Sequence, residues 1–272
     1  MKIREIYDNA LKNFNIYQPD LLILLCNAFG ISKEYFWTYG RSKEAGKDES
    51  DLFINYTKRL VNNEPIPYII GKKEFYSESF FVNKDVLIPR PETELLVDKL
   101  LEISDNSTNI LDIGTGSGII SILVAKKKGS NVISVDLNKN AIKVLKKNIK
   151  YHKVKHLVTP LRSDLFPKDK MLFDIIVSNP PYISEKDMVS LESTILDYEP
   201  EIALLGGKSG YEIIEKIIKL SPTYLKKNGV IILEFGYDQK ETVNKMLQKH
   251  GYKNIKFFND LNKIPRIVKA NL

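Results

Sequence analysis

The sequence has 272 residues, 43% of them hydrophobic and 28% charged, which suffices for one large globular domain and one small domain. Its single cysteine, Cys26, excludes an internal disulfide and a cysteine-based zinc site, and its three scattered histidines form no cluster, so we expect no metal. The longest apolar run, at residues 21–29, is much shorter than the roughly 20 residues of a membrane span. We therefore expect a cytoplasmic protein with no signal peptide and no membrane partner.

The net charge of +7 and the isoelectric point near 9.1 allow two interpretations. Lysines cluster at residues 126–128, 146–155 and 226–227, and a basic surface of this kind attracts RNA. The whole chain is also rich in lysine, isoleucine and asparagine, which indicates a general compositional bias. We favour the second interpretation, a solvated lysine surface, and expect no direct nucleic-acid substrate.

Residues 1–64 are predicted to form a small helical domain. Apolar residues recur at helical spacing over residues 3–11, Asp20 is placed to cap a second helix, and Gly30 is placed to end it. A further helix is predicted over residues 50–60. No side chain here has catalytic character, so the expected role of this domain is packing or holding a partner.

Residues 65–88 are predicted to form a linker that contains a β-hairpin, because prolines interrupt the helical pattern and its second half is aromatic and β-branched. The next segment, residues 88–94, reads Ile-Pro-Arg-Pro-Glu-Thr-Glu. Pro91 suits the first position of a helix, so Glu92 falls in the first turn, where a carboxylate complements the helix dipole. Arg90 lies between two prolines, a rigid setting that aims its guanidinium at a target.

Residues 89–272 alternate between strand and helix patterns, which predicts an α/β domain with a largely parallel sheet. Strands are predicted at residues 109–113, 132–135, 157–161, 175–177, 230–234, 255–258 and 266–270. Helices are predicted up to residue 128 and at residues 141–149 and 239–249. The loop between the last two strands is too short for a crossover helix, so the final strand should return antiparallel.

The fourth of these strands is followed by the sequence Asn-Pro-Pro-Tyr. The strand must stop at Asn179, because Pro180 cannot donate a ladder hydrogen bond and restricts the residue before it. Pro180 and Pro181 have no N–H, so the backbone offers carbonyl acceptors, and the Asn179 side chain adds an acceptor oxygen. Such a corner can bind a planar –NH2 group, with Tyr182 as a flat face beside it. The plainer interpretation is a surface turn next to a core aromatic.

A glycine-rich turn follows the first of these strands and consists of Gly114, Thr115, Gly116, Ser117 and Gly118. Such a turn lets the backbone approach a ligand closely, and an acidic residue about 20 positions on, here Asp136, can bind a ribose diol. Ile119 stands where the dinucleotide fingerprint requires glycine, which counts against NAD. We expect a different adenosine-containing cofactor.

These motifs together resemble those of class I S-adenosylmethionine-dependent methyltransferases that act on planar amides or amines. The matching positions are Asp112 to Gly118, Asp136, Ser163-Asp164 and the Asn-Pro-Pro-Tyr corner. Residues 88–94 and 199–204 narrow the resemblance to the HemK/PrmC family, whose members methylate the glutamine of the Gly-Gly-Gln loop in peptide-chain release factors and so support translation termination. The likeness covers essentially the whole chain. It implies a class I methyltransferase fold, with a Rossmann-like, mainly parallel seven-stranded sheet and an antiparallel last strand, preceded by a small all-α domain that docks the release factor.

The resemblance implies S-adenosyl-L-methionine as methyl donor, S-adenosyl-L-homocysteine as product, class I release factors as partners and a monomeric enzyme. The implied cofactor-binding residues are Gly114 to Gly118, Asp136, Asp164, Leu165 and Asn179. Leu165 stands where the family often has a large aromatic residue, so it would give the adenine only apolar contact. The implied catalytic residues are Asn179, Pro180, Pro181 and Tyr182. Arg90 and Glu92 are implied to position the substrate loop.

Two alternatives remain open at this stage. Adenine-N(6) nucleic-acid methyltransferases share the Asn-Pro-Pro-Tyr corner, but they need a region that reads DNA or RNA, and no inserted recognition domain is evident. A non-catalytic binding or assembly protein could retain the same fold. The intact glycine turn and the intact acceptor corner argue against this second alternative.

Overall fold

The computed structural model describes residues 1–272, which form two compact units, Met1–Lys72 and Lys73–Leu272. The first unit is helical. Its helices are α1 (Ile3–Asn13), α2 (Gln18–Phe29), α3 (Lys33–Tyr39), α4 (Lys47–Val61) and α5 (Ile66–Ile70). Helix α2 contributes the centre of the core, because its leucines, including Leu21, Leu24 and Leu25, are buried on more than one face.

Helix α2 ends as predicted and starts earlier than predicted. Gly30 adopts a left-handed conformation, with φ of 61°, and ends the helix. The prediction that Asp20 caps this helix is wrong, since the helix begins at Gln18 and Asp20 lies in its first turn. Pro19 has a fixed φ that suits a first turn, so the helix can start ahead of Asp20.

The second unit is an α/β domain that follows a short hairpin. The strands, in chain order, are β1 (Lys72–Phe75), β2 (Glu78–Phe81), β3 (Asn109–Ile113), β4 (Asn131–Asp136), β5 (Val158–Arg162), β6 (Phe173–Ser178), β7 (Ile183–Ser184), β8 (Leu205–Gly207), β9 (Leu225–Glu234), β10 (Lys253–Asn259) and β11 (Pro265–Asn271). The helices are α6 (Thr93–Leu101), α7 (Ile119–Lys128), α8 (Lys139–Tyr151), α9 (Glu185–Met188), α10 (Ser193–Tyr198), α11 (Glu212–Leu220) and α12 (Lys240–Lys249). None of the helices in the chain combines the length and the apolar character needed to cross a bilayer.

Helix α6 starts two residues after the predicted position. The prediction that Pro91 opens the helix is wrong, because tight turn hydrogen bonds precede it, from Thr93 N–H to the Arg90 carbonyl and from Glu94 N–H to the Pro91 carbonyl. The first helical residue is therefore Thr93. Its side chain points into the domain, where it is 1% exposed.

Seven strands form the main sheet, in the order β10-β11-β9-β6-β3-β4-β5. Neighbours from β9 to β5 are parallel, and β11 is antiparallel to both β9 and β10. The predicted seven-stranded sheet with an antiparallel last strand is confirmed. Strands β3 and β6 and the second half of β9, from residue 230 on, are largely buried on both faces, which explains their apolar sequences.

Helices cover both faces of this sheet, and each face has its own core. Helices α6, α7 and α8 pack with the hairpin over one face, around residues such as Leu100, Leu123 and Leu145. Helices α11 and α12 cover the other face, around residues such as Ile217 and Leu247. This arrangement leaves the carboxyl edge of the parallel strands for the loops, where α/β sheets bind their ligands.

Candidate active site

Four strands end side by side at the carboxyl edge of the sheet. Ile113 of β3 pairs with Val135 of β4 and with Ser178 of β6, and Ser178 pairs with Leu233 of β9. The residues that come next on these strands, in order across the sheet, are Asp136, Gly114, Asn179 and Glu234. The strand register alone therefore places the glycine turn between Asp136 and the Asn-Pro-Pro-Tyr corner.

A cleft opens above this edge, with about 1040 Å³ of empty space including its mouth. The predicted site residues that line it are Arg90, Gly114, Thr115, Gly116, Ser117, Asp136, Asp164, Leu165, Asn179 and Pro181. The predicted site residues outside its lining are Glu92, Gly118, Pro180 and Tyr182. The structure thus brings the glycine turn, both acidic positions and the Asn-Pro corner to a single cleft.

The glycines of the turn have different surroundings. Gly114 and Gly116 have φ of 70° and 54°, and a methyl group added to Gly116 would meet no atom within 4 Å. The backbone at these two positions is therefore open to a ligand. Gly118, with φ of 86°, has a packing role, because a β-carbon there would lie 2.3 Å from Leu145 Cδ1 of helix α8.

Asp136 combines a structural role with free acceptor capacity. Its Oδ2 accepts from the Gly116 N–H at 2.9 Å, and its Oδ1 accepts from the Asn138 N–H at 2.8 Å. Burial raises the pKa of this carboxyl, while the two backbone N–H groups oppose that effect. Each carboxylate oxygen can accept a second hydrogen bond, so Asp136 can still bind two hydroxyl groups in the cleft.

A second carboxylate supports the glycine turn from behind. Asp112 is fully buried, and its Oδ2 accepts from the hydroxyl groups of Thr115, at 2.7 Å, and Ser121, at 2.5 Å. Burial raises the pKa of Asp112 to about 6, and its Oδ1 has no hydrogen-bond partner. These bonds join the end of β3 to the start of helix α7 and so fix the path of the turn.

The segment after β5 presents an aliphatic side chain to the cleft. Leu165 lines the cleft and has an unusual left-handed backbone, with φ of 59°. The next residue, Phe166, is buried and stacks on Tyr224, with ring centroids 4.6 Å apart and an interplanar angle of 21°. Phe166 is therefore part of the core, and Leu165 is the residue of this pair that can contact a ligand.

The Asn179 side chain is held from the protein side. Its Nδ2 donates to Thr93 Oγ1 at 3.0 Å, and the Thr93 hydroxyl donates to Glu234 Oε2 at 2.8 Å. Burial raises the pKa of Glu234 to about 7, opposed by hydrogen bonds from Thr93 and Asn179 and by the charge of Arg266. Thr93 lies within the motif at residues 88–94, but the sequence motifs predict no role for it, and they do not single out Glu234. A usable signal was the acidic residue at the end of an apolar strand on the ligand-binding edge.

Tyr182 lies behind the corner. Its ring packs against the core under α11 and α12, and burial raises the pKa of its hydroxyl. Its backbone carbonyl accepts from Gln239 Nε2 at 2.9 Å, and Gln239 Oε1 accepts from the Gly236 N–H at 2.9 Å. Gln239 therefore ties the chain after the two prolines to the loop after β9. A contact of Tyr182 with substrate stays a prediction.

Arg90 links two segments that the sequence singles out. Its guanidinium donates to Glu199 Oε1 at 2.5 Å, and Glu199 Oε2 accepts from the Ile88 N–H at 3.1 Å. The Glu199 side chain is 2% exposed, so this ion pair is largely desolvated on one side. Arg90 together with Ile202 and Ala203 lines the cleft, so the pair holds both segments as one wall.

A family model described as "Methyltransferase small domain" matches residues 90–198, which include the glycine turn and the Asn-Pro-Pro-Tyr corner. A crystal structure of a methyltransferase from Pyrococcus furiosus resembles the chain with a TM-score of 0.57 at 18% identity, covering 80% of this chain and 98% of that one. This likeness supports the fold.

Two groups of curated relatives differ in length. A release factor glutamine methyltransferase of Clostridium botulinum is 40% identical over 260 residues, which cover 93% of this chain and 92% of that protein. A bifunctional methyltransferase of Rickettsia prowazekii is 39% identical over 252 residues, which cover 85% of this chain and 49% of that protein. The chain therefore spans about half the length of the bifunctional relative and 92% of the length of the Clostridium botulinum relative.

Proposed function

This chain belongs to the release factor glutamine methyltransferase family, and we propose that it transfers a methyl group to the side-chain nitrogen, N(5), of the glutamine in the Gly-Gly-Gln motif of peptide-chain release factors, which supports translation termination. The observation that carries the proposal is the Asn179 side chain. Its nitrogen is engaged by Thr93 on the protein side, which leaves its oxygen as an acceptor in the cleft beside the glycine turn.

The lining of the cleft fits S-adenosyl-L-methionine, with S-adenosyl-L-homocysteine as the product. The open backbone at Gly114 and Gly116 gives room for the amino-acid part, and Asp136 has acceptor capacity left for two ribose hydroxyl groups. We assign Asp164 and Leu165 to the adenine. The bound cofactor supplies a methyl group on a positively charged sulfur.

The chain's own residues supply orientation. An amide nitrogen is a weak nucleophile because its lone pair is delocalised, so it must be aimed at the methyl group and its developing charge must be stabilised. We assign both tasks to Asn179 Oδ1 and the Pro180 carbonyl, which accept from the two protons of the glutamine –NH2 group. No base is required before transfer in this scheme, since the proton can leave the methylated amide afterwards.

The same acceptors explain a preference for glutamine over glutamate. A carboxylate would turn oxygen toward Asn179 Oδ1 and the Pro180 carbonyl, and neither could form a hydrogen bond with it. Leaving a buried acceptor unsatisfied costs about 1–3 kcal/mol, and more when the ligand is charged. Two acceptors are left unsatisfied, which costs about 2 kcal/mol or more, so the expected discrimination exceeds tenfold, since about 1.4 kcal/mol corresponds to a factor of ten.

We assign the recognition of the release factor to the helical domain, residues 1–64, with residues 65–88 as linker and residues 89–272 as the catalytic domain. Several large apolar side chains of the helical unit are exposed, among them Tyr17, Trp37 and Tyr39. Aromatic side chains of this kind are typical anchors of protein interfaces. We expect the enzyme to act as a monomer on a class I release factor.

The test is a methyl-transfer assay with a purified class I release factor and S-adenosyl-L-methionine carrying a labelled methyl group. The modified residue is mapped by mass spectrometry. The matched control is the same release factor with the Gly-Gly-Gln glutamine replaced by glutamate, which presents a carboxylate of nearly the same shape. The proposal expects one methyl group on the glutamine side chain and none on the control.

Two outcomes would contradict the proposed function. Label transferred to DNA or RNA, with none on the release factor, would identify an adenine methyltransferase. Cofactor binding by calorimetry without transfer to any of these substrates would identify a binding protein that retains the fold.

A further inference from the structure

Thr93 and Glu234 support the Asn179 side chain, Thr93 at the inner edge of the cleft lining and Glu234 beneath it. Thr93 begins helix α6, Glu234 ends strand β9, and each is 1% exposed. The Thr93 hydroxyl donates to Glu234 Oε2 at 2.8 Å, and Asn179 Nδ2 donates to Thr93 Oγ1 at 3.0 Å. The three side chains form one hydrogen-bonded chain that leads from the core to the cleft.

The direction of this chain follows from the chemistry of its members. An ionised carboxylate can only accept, so Glu234 takes the single hydroxyl proton of Thr93. The lone pairs of Thr93 Oγ1 then remain for a donor, and within the Asn179 side chain only Nδ2 is a donor. The amide is therefore held with its nitrogen inward. Without these partners, the two flipped orientations of the carboxamide would differ little in shape.

We propose that Thr93 and Glu234 are positioning residues that keep the Asn179 oxygen directed at the substrate –NH2 group, an inference that rests on the methyl transfer proposed above. In the flipped orientation, Asn179 Nδ2 would face the substrate –NH2 group, and two donors would meet. The substrate nitrogen would then lose one of its two acceptors. The hydrogen bonds that lead from Glu234 through Thr93 to Asn179 thus select the amide orientation that methyl transfer requires.

Two other charged side chains, Arg266 and Glu92, affect Glu234, but neither takes its place as the acceptor for Thr93. Arg266 of strand β11 lowers its pKa through charge, but Arg266 Nε donates to Asp260 at 3.2 Å. Glu92, just before helix α6, raises the pKa of Glu234 through charge alone. The hydrogen bonds that lower this pKa come from Thr93 and Asn179, so the hydrogen-bond partners of the Glu234 carboxylate are side chains at the Asn-Pro-Pro-Tyr corner.

The kinetic test compares Thr93→Val with Thr93→Ser. Valine has nearly the shape of threonine but no hydroxyl, so the Asn179 carboxamide is no longer held in one orientation. The kcat should therefore fall about ten- to hundredfold. Serine keeps the hydroxyl and should restore kcat to within about threefold of the wild-type value. The KM for the release factor and the cofactor Kd should change little in both variants. Thr108→Val, a matched change at the opposite edge of the sheet, should leave kcat unaltered.

A second measurement does not depend on methyl transfer. In protein labelled with 15N-asparagine, the carboxamide resonances of Asn179 are identified by their loss in Asn179→Asp. They should shift in Thr93→Val and stay close to their wild-type positions in Thr93→Ser. Glu234→Gln should act like Thr93→Val in both measurements, because a glutamine can donate to Thr93 and so reverse the chain. If Thr93→Val does not fold, the Glu234→Gln variant provides the test of the positioning role.

The two proposals fail in different ways. An inactive wild-type protein whose Asn179 resonances still respond to Thr93→Val would contradict the proposed function and leave the amide orientation standing. Thr93→Val and Glu234→Gln variants that retain wild-type kcat, or that leave the Asn179 resonances in place, would overturn the positioning role. A loss of kcat that Thr93→Ser fails to restore would also overturn it, since packing would then be the cause.

Discussion

Replacing Asn179 with alanine is the sharpest test of the acceptor corner, because the structure separates its effect on folding from its effect on chemistry. The Thr93–Glu234 hydrogen bond, at 2.8 Å, does not involve Asn179 and should persist in the variant. Folding loses the bond from Asn179 Nδ2 to Thr93 and the Asn179 hydrogen bond that lowers the pKa of Glu234, and each contributes about 1 kcal/mol. Against a total stability of about 5–15 kcal/mol, the variant should remain folded.

The effect on transfer should be much larger. In the proposed reaction, alanine removes one of the two acceptors assigned to orient the substrate nitrogen and to stabilise the charge that develops on it. Loss of one preorganised group of this kind typically lowers kcat by about 10²–10³, which corresponds to about 2.7–4 kcal/mol. Cofactor affinity should fall only modestly, because the glycine turn and Asp136 are untouched. The expected signature is a large loss in kcat with a small change in the cofactor Kd.

The assay follows turnover on a release factor and measures the cofactor Kd by calorimetry on the same preparation. Asn179→Asp is the matched variant, since it keeps the shape but cannot donate to Thr93 and competes with Glu234 for the Thr93 proton. It should also be slow. Near-native turnover by Asn179→Ala would refute the reasoning, because the corner would then have no part in orienting the amide.

Three further predictions follow from named contacts. Asp136→Asn should raise the cofactor Kd about tenfold, as measured by calorimetry, because a carboxamide has a single acceptor oxygen and its –NH2 group would face the N–H of either Gly116 or Asn138. Gly118→Ala should lower the free energy of unfolding by about 1–3 kcal/mol in urea, since its β-carbon would overlap Leu145, and the double variant with Leu145→Ala should lose less than the sum of the two single losses. Burial raises the pKa of Glu234 from 4.5 to about 7, so the folded state binds this proton more tightly than the unfolded state. The resulting stabilisation is complete below pH 4.5 and is lost as the pH rises through 7, by about 3 kcal/mol, which urea unfolding of wild type and Glu234→Gln at both ends of the range would measure. The kcat should rise over the same range, because only ionised Glu234 takes the Thr93 proton, and a flat kcat profile would contradict this role.

The sheet and its binding edge could be predicted because their signals are local. A β-branched run followed by Asn-Pro-Pro defines where a strand must stop, and a glycine turn followed by an acidic residue at the next strand end defines a ligand edge. Parallel pairing then needs no further information to bring Gly114, Asp136 and Asn179 together, and the structure confirms this arrangement.

The side chains that hold Asn179 in place could not be predicted in the same way, because they are distant from it and from each other in sequence. Thr93 and Glu234 are separated by 141 positions and Thr93 and Asn179 by 86. Local patterns placed the start of helix α6 two residues early, which hid the fact that Thr93 faces inward. The packing of Gly118 against Leu145 was equally hidden, since a glycine in a binding motif looks the same whether it faces a ligand or a helix.

The buried carboxylate of Glu234 is the clearest sign that the corner is under functional constraint. Its pKa of about 7 means that the ionised form of this carboxyl is less stable in the folded protein, by about 3 kcal/mol, than the usual value of 4.5 would give. A position that served packing alone would favour an apolar residue, because buried ionised groups rarely repay their desolvation. Under the positioning role proposed above, this loss of stability gives a single orientation of the Asn179 amide, and stability lost at a site is commonly tied to the geometry that activity needs. The neighbouring Pro180 and Pro181 fit the same proposal, because a backbone without N–H groups adds no donor beside the Asn179 oxygen. Asn179 Oδ1 and the backbone carbonyls of the two prolines are acceptors, and Thr93 engages the one donor of the Asn179 side chain, which is why we propose an –NH2 group as the ligand of this corner.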